Sequence, residues 1–326
     1  MGLFDRIKSM LGGGAKASVN TDRWNLDELA RRLDITPDEL QNIKPIYNKF
    51  TIPKRSGGKR TILAPAPELK QLQRRILRRL LARLRTHPCA MGFEKGRSIV
   101  TNARPHVQAD VVIRMDIRDF FGKTSAQRVN AFWRFIGWDK PCADILTRLC
   151  THDGALPQGA PTSPRLSNLV NYGLDARLEK WGQPIGAIYT RYADDMVFSF
   201  SRVTISNMPA FKNWSRFYDS PTEALDDFLR KAVTSTIRVT KKILKDYGYK
   251  IHHHKKLSIR RKHQCQKVTG LVVNEKIALP RQTRRWLRAV EHYHTAGKPS
   301  TLTPQQLQGW RALRNMVEQQ PATDFT

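Results

Sequence analysis

The feature that constrains this chain most is a pair of adjacent acids, Asp194-Asp195, set between two short apolar runs, Ala187–Tyr192 and Met196–Phe200. The runs read as strands of a hairpin and the acids as its turn. Side-by-side carboxylates repel, and each is better solvated alone than held against its neighbour. Acids at a turn are also ordinary turn chemistry. A third acid shifts the balance. Asp116 ends the near-continuous apolar run Val111–Asp116, which reads as a buried strand. Laid beside the hairpin, that strand brings Asp116 and Asp194 to a common point. Carboxylates gathered in this way suit magnesium, which takes hard oxygen ligands. Two such ions about 3.5–4 Å apart serve nucleotidyl transfer, activating an attacking hydroxyl and stabilising departing pyrophosphate.

Charge points to the partner. The 326 residues include 57 Lys plus Arg against 28 Asp plus Glu, a formal charge of +29. A compact chain with that excess repels itself unless it meets a polyanion. Nucleic acid fits, because each neutralised phosphate releases a counterion, and an anionic membrane is the weaker alternative. The basic residues concentrate in 54–97 and 250–288, read as facing the template and the primer duplex. No run approaches the roughly 20 apolar residues of a membrane span, so no membrane partner is expected. The start, MGLFDRIKSMLGGG, lacks the apolar core of a signal peptide, and the cysteines Cys89, Cys142, Cys150 and Cys265 form no framework, which makes the cytoplasm the expected compartment.

Along the chain, residues 1–20 read as an appendage with Leu3, Phe4, Ile7, Met10 and Leu11 at helical spacing. Tyr47–Pro53 and Arg60–Ala64 read as strands around the RSGGK turn, Glu68–Arg85 as one arginine-rich helix, and Ser163–Trp181 as another. Thr222–Tyr247 is helix-rich, Lys267–Val273 with Ile277–Leu279 reads as a hairpin, and Arg281–His294 and Pro304–Gln319 as a separate helical tail. Consecutive His252, His253 and His254 do not share a face and carry no zinc-ligand spacing, so residues around them read as a basic segment facing nucleic acid.

On these residues the chain resembles reverse transcriptases. Tyr192-Ala193-Asp194-Asp195 matches their YxDD box, Met115-Asp116-Ile117-Arg118-Asp119-Phe120-Phe121 their first catalytic motif, and Leu156-Pro157-Gln158-Gly159-Ala160-Pro161-Thr162-Ser163-Pro164 the loop before the box. It is most similar to the bacterial retron enzymes, through Asn102-Ala103-Arg104-Pro105-His106 (their NAxxH element), Val268-Thr269-Gly270 (VTG) and Gly92-Phe93-Glu94-Lys95-Gly96-Arg97-Ser98.

The resemblance implies an α+β right-hand polymerase: fingers over 21–105, an RRM-like palm with finger elements over 106–279, and a helical thumb over 280–326. It implies that Asp116, Asp194 and Asp195, with the Ile117 backbone carbonyl, hold two Mg2+. Lys59 and Arg60 would grip the triphosphate, or form an exposed hairpin tip. Gln158 and Gly159 would line the nucleotide pocket. Phe121 reads equally as a gate against the ribonucleotide 2′-hydroxyl or as a core aromatic. Lys255 or Lys256 would protonate pyrophosphate, although His253-His254-Lys255-Lys256 departs from the family's Asn before and Thr after that lysine. Asn102, Ala103, His106, Val268, Thr269 and Gly270 are the family elements, linked with RNA, and Arg284, Arg285 and Arg288 are thumb candidates for RNA contact.

The implied reaction copies a cognate structured noncoding RNA with dNTPs, primed from a guanosine 2′-hydroxyl, to give branched msDNA, with an effector or toxin protein as partner and a role in antiphage defence. A group II intron-like or diversity-generating reverse transcriptase, an RNA polymerase and a non-catalytic RNA-binding scaffold are the alternatives.

Overall fold

Strand assignment follows burial. The computed structural model describes residues 24–53, 57–252, 257–299 and 301–319. The appendage, Lys54, Arg55, His253, His254, Lys255 and Lys256 lie outside the described residues. The chain divides into two compact units, both mixed α and β.

The first unit comprises Met1–Ala90, Ile117–Arg177 and Ile243–Lys250. Its helices begin where the sequence supplies caps. Asn25 accepts from the Glu28 amide ahead of Leu26–Leu33, Thr36 and Glu39 form a capping box on Pro37–Asn42, and Asp139 caps Lys140–Cys150. Leu29, Leu33, Ile76, Trp133, Trp138 and Leu146 are at the centre of its apolar core. An antiparallel ribbon of β1 (Tyr47–Pro53) and β2 (Lys59–Pro65) completes the unit, and apart from Tyr47 every β1 residue is exposed.

Two expected helices are divided. The Glu68–Arg85 segment is α-helical over Pro67–Ile76 and then widens to a π-helix over Leu77–Leu81. Leu80 and Leu81 are both buried there. Arg165 then donates to the carbonyls of Leu81 and Leu84 at the end of that turn. Ser163–Trp181 breaks into Ser163–Val170 and Tyr172–Gly182. At the break Asn171 is fully buried, donating to the Ser167 carbonyl and the Tyr249 hydroxyl and accepting from Arg128 at 2.7 Å.

The second unit comprises Met91–Asp116, Leu178–Lys242 and Ile251–Thr326. It is built on an antiparallel sheet of β3 (Val111–Asp116), β4 (Ala187–Tyr192), β5 (Asp195–Phe200) and β6 (Ser258–Arg261), in the order β4-β5-β3-β6. The β-α-β-β-α-β order with these neighbours is the RRM-like arrangement the sequence led us to expect. Strand β6 was not foreseen, because Ser258-Ile259-Arg260-Arg261 shows no apolar alternation and three of its residues are exposed. One sheet face carries Val112 and Val197, packed with Val100, Ala103, Val268 and Leu271. The other carries Ile113, Met196 and Phe198, all fully buried.

The hairpin expected between Lys267–Val273 and Ile277–Leu279 forms instead within the first run. Strands β7 (Lys267–Val268) and β8 (Leu271–Val272) turn through Thr269-Gly270, and the Ile277–Leu279 run contributes a single bridge, Val272 to Ala278. The tail forms helices Arg281–Thr295 and Pro304–Gln319 around Leu287, Val290 and Leu307, with the Trp286 and Trp310 rings 5.1 Å apart. Leu313, Met316 and Val317 of the last helix join the core at Val100 and Ala103, so the tail shares the second unit's core.

Candidate active site

The acids stand at the sheet's most constrained end. Strand β3 is central, hydrogen-bonded to β5 on one side and β6 on the other. Its last residue, Asp116, is 5% exposed, and its carbonyl accepts from the His252 amide at 2.9 Å. Register places Asp116 directly opposite Asp195. Residues so paired have Cβ atoms about 4.5–5.5 Å apart, and like charges there destabilise. Tyr192 pairs with Asp195 across the hairpin, leaving Ala193-Asp194 as a two-residue loop. Ala193 has φ 59, whereas Asp194 is not among the positive-φ residues. That pattern is a type II′ turn, which normally takes glycine first.

Residues from elsewhere hold this strained turn. Gly92 packs so closely that a Cβ on it would lie 2.8 Å from the Ala193 nitrogen. The Met91 amide donates to the Arg191 carbonyl at 2.7 Å. Arg191 is fully buried and donates through Nη1 to the Ala193 carbonyl at 3.0 Å. Neither Arg191 nor the reason for Gly92 was read from sequence. Gly92 was visible only as part of a family element, and a buried arginine in a strand has no local signature. Arg114 likewise carries no local mark in the sequence; its Nη2 donates to Asp195 Oδ2 at 2.8 Å.

Hard carboxylate oxygens at adjacent and opposite positions fit a divalent cation such as Mg2+. Asp194 is half-buried beside them in the turn. Ile117 follows Asp116 directly with its side chain buried, so any ligand role there falls to its main chain.

The NAxxH and VTG elements prove to be anchored in the interior. Asn102, Ala103, His106 and Val268 are fully buried. His106 bridges the two hairpin strands, with Nδ1 2.7 Å from Ser199 Oγ and Nε2 2.8 Å from Thr190 Oγ1. Burial pushes its pKa down to about 3, so the ring is neutral and satisfies one hydroxyl as donor and the other as acceptor. Thr269 and Gly270 both have positive φ, the type I′ pattern of a tight hairpin. The Thr269 hydroxyl donates to the Ile99 carbonyl at 3.0 Å and receives a long 3.5 Å bond from Asn102. The NAxxH and VTG elements therefore meet each other and brace the sheet that carries the acids.

The nucleotide-pocket candidates all belong to the first unit. Lys59 and Arg60 open β2 after the Gly57-Gly58 turn and are exposed. The Leu63 amide donates to the Gln158 carbonyl at 2.8 Å, tying β2 to the Gln158-Gly159 loop. A Cβ on Gly159, whose φ is 131, would fall 2.8 Å from the Leu63 carbonyl oxygen. Glycine is thus required by both its dihedral and this close approach. Phe121 is half-buried against the core, its ring 5.4 Å from that of buried Phe120. In the second unit, Arg284, Arg285 and Arg288 are exposed on a helix whose other face buries Leu287 and Val290.

Comparison with known proteins accords with this geometry. The family model for reverse transcriptase (RNA-dependent DNA polymerase) matches residues 52–273. The retron Mx162 reverse transcriptase of Myxococcus xanthus is 33% identical over 93% of this chain and 66% of its own length. The retron Ec86 reverse transcriptase of Escherichia coli is 33% identical over 81% of this chain and 74% of its own. Among solved structures, telomerase from Candida albicans in complex with a fragment of telomeric RNA aligns with 80% of this chain and 52% of that chain, at a TM-score of 0.46 and 12% identity. The family model spans both the Asp116 strand and the Asp194-Asp195 turn, and on that match this chain belongs to the reverse transcriptase family, with the retron enzymes as its relatives.

Proposed function

We propose that the chain is an RNA-directed DNA polymerase that copies a cognate structured noncoding RNA with dNTPs, priming from a guanosine 2′-hydroxyl to make branched msDNA. The observation that carries it is Asp116 held opposite Asp195, with Asp194 in the adjoining turn, on a buried sheet. In this reading residues 21–105 are the fingers, 106–279 the palm and 280–326 the thumb. The retron names of the relatives support the RNA-templated branch of the reading. Cytoplasmic location, an effector partner and an antiphage role complete it. No helix among the described residues is long and apolar enough to cross a membrane.

Asp116, Asp194 and Asp195, with the Ile117 carbonyl, would hold two Mg2+. When bound, these ions acidify the attacking hydroxyl and neutralise charge on the phosphates. The protein's own contribution is position. Gly92 and Arg191 set the turn, and the β3–β5 ladder sets the distance between strands. Lys59 and Arg60 attract the triphosphate, Arg by a forked donor pair and Lys by point charge. Gln158 and Gly159 line the nucleotide pocket, Phe121 excludes a 2′-hydroxyl by bulk, and Lys255 or Lys256 returns a proton to pyrophosphate.

The test is primer extension on poly(rA)/oligo(dT) with dTTP and magnesium. The parent should extend and Asp194→Asn should not; equal extension by both sinks the catalytic assignment. Sequencing the copurifying RNA separates a retron from an intron enzyme. Phe121→Ala should raise ribonucleotide incorporation, and no change returns that ring to a purely core role.

A further inference from the structure

We infer that Arg114 is a positioning residue that holds Asp195 in the metal-free protein and competes with divalent cations for it, so that the acids stay together unloaded and take metal weakly until a triphosphate arrives. This deepens the two-metal reading above and rests on it.

The geometry is specific. Arg114 stands two residues before Asp116 on the same face of β3, and its main chain is locked between Val197 of β5 and Ser258 of β6. Its Nη2 reaches diagonally to Asp195 Oδ2 at 2.8 Å. The side chains are 33% and 24% exposed, so water screens the pair only in part. Nε of Arg114 is buried with no hydrogen-bond partner among the described residues. A guanidinium placed purely as a structural anchor would spend that donor as well. What its position does secure is a positive charge beside two carboxylates that face each other across a ladder.

The consequence is competition. A cation that takes Asp195 Oδ2 must share that oxygen with the guanidinium and bear its repulsion. A nucleoside triphosphate brings negative charge that offsets both. Metal loading is thereby coupled to nucleotide binding, in keeping with the reciprocity that any coupling between two ligands obeys.

The test is Mn2+ binding, read from the free-ion electron paramagnetic resonance signal, on the full chain without nucleotide or nucleic acid. Parent, Arg114→Gln, Arg114→Lys, Asp195→Asn, Asp116→Asn and the Arg114→Gln/Asp195→Asn double variant are compared. Arg114→Gln should bind Mn2+ about 3–10-fold more tightly than the parent. It should also melt lower without metal, with the deficit narrowing as Mn2+ is added. In the Asp195→Asn background the same substitution should change affinity little. Added dTTP should tighten Mn2+ binding more in the parent than in Arg114→Gln. Mn2+ affinity in Arg114→Gln equal to or weaker than the parent's overturns the inference, and so does equal tightening without Asp195. Arg114→Lys, which keeps the charge but loses the planar guanidinium, should fall between; if the glutamine variant does not fold, a lysine variant no tighter than the parent overturns it. A parent that binds no Mn2+, or binds it equally after Asp116→Asn, removes the metal reading itself and this inference with it.

Discussion

Two antiparallel elements carry the candidate chemistry, and they are built to opposite specifications. In the second unit, β3 is bonded on both edges and all its residues except Arg114 are buried. In the first unit, the β1–β2 ribbon pairs along seven residues of each strand, yet almost all of β1 and the start of β2 are exposed. The contrast suits what each would do under the proposed function. Carboxylates that share metal ions must be placed to a fraction of an ångström, and burial supplies that rigidity. Cations that attract a triphosphate act through charge over a longer range, and an exposed ribbon serves. The cost of rigidity shows in the sheet, as the positive φ of Ala193 and the facing acids Asp116 and Asp195.

Substitutions should break this contrast in graded steps. The largest effect belongs to the acids: Asp116→Asn should lower primer extension by about 10³-fold or more, because a ligand to the metals is lost. Gly92→Ala comes next. Its methyl would lie 2.8 Å from the Ala193 nitrogen, so the turn must shift. Misplacement on the scale of 1 Å costs about 10²-fold, and the loss should appear in kcat with KM for dTTP little changed. The ribbon should respond the other way. Lys59→Ala with Arg60→Ala should raise KM for dTTP about tenfold and leave kcat nearly intact, and added salt should narrow the gap from the parent. A kcat loss in the ribbon variant, or a pure KM effect at Gly92, would erase the distinction between the two elements.

A last test reads stability rather than turnover and asks how the sheet is pinned. His106 has its folded pKa lowered to about 3, while the unfolded chain titrates near the ordinary 6.5. Between those values the unfolded state binds the extra proton, so stability rises with pH, by at most about 1.4 kcal/mol per pH unit. Above pH 6.5 the contribution is complete; it is lost as pH falls toward 3. Urea unfolding of the parent and of His106→Gln across pH 4–7 should show a shallower slope in the variant. Identical slopes would mean that the bridge between Thr190 and Ser199 is not held by a neutral imidazole.

Much of this was legible in the linear chain. Val111–Asp116 and the paired runs around Asp194-Asp195 read as strands because each is a short apolar run whose ends are marked by acids or turn residues. The helix starts at Asn25, Thr36 and Asp139 were capped by their own neighbours. Local chemistry also made the candidate metal-holding acids stand out, since carboxylates concentrated at strand ends are costly without a cation. Other features carried no local mark. The break at Asn171 depends on Tyr249 and Arg128, and the widened turn at Leu77–Leu81 on a core assembled from distant helices. The segment 258–261 becomes a strand only because β3 offers it an edge.

Sequence alone determined which residues are acidic, where the strands that carry them lie, and that a chain of +29 is suited to a polyanionic partner. Tertiary structure decided which acids face each other, that Gly92 and Arg191 hold the turn, that Arg114 reaches Asp195, and that Asn102, His106 and Thr269 brace the fold from within. The division has one physical cause. Periodicity, capping and turn preference act over a few neighbouring residues, whereas register, close backbone approach and buried hydrogen bonds join residues as far apart as Ile99 and Thr269 and exist only once the chain has packed.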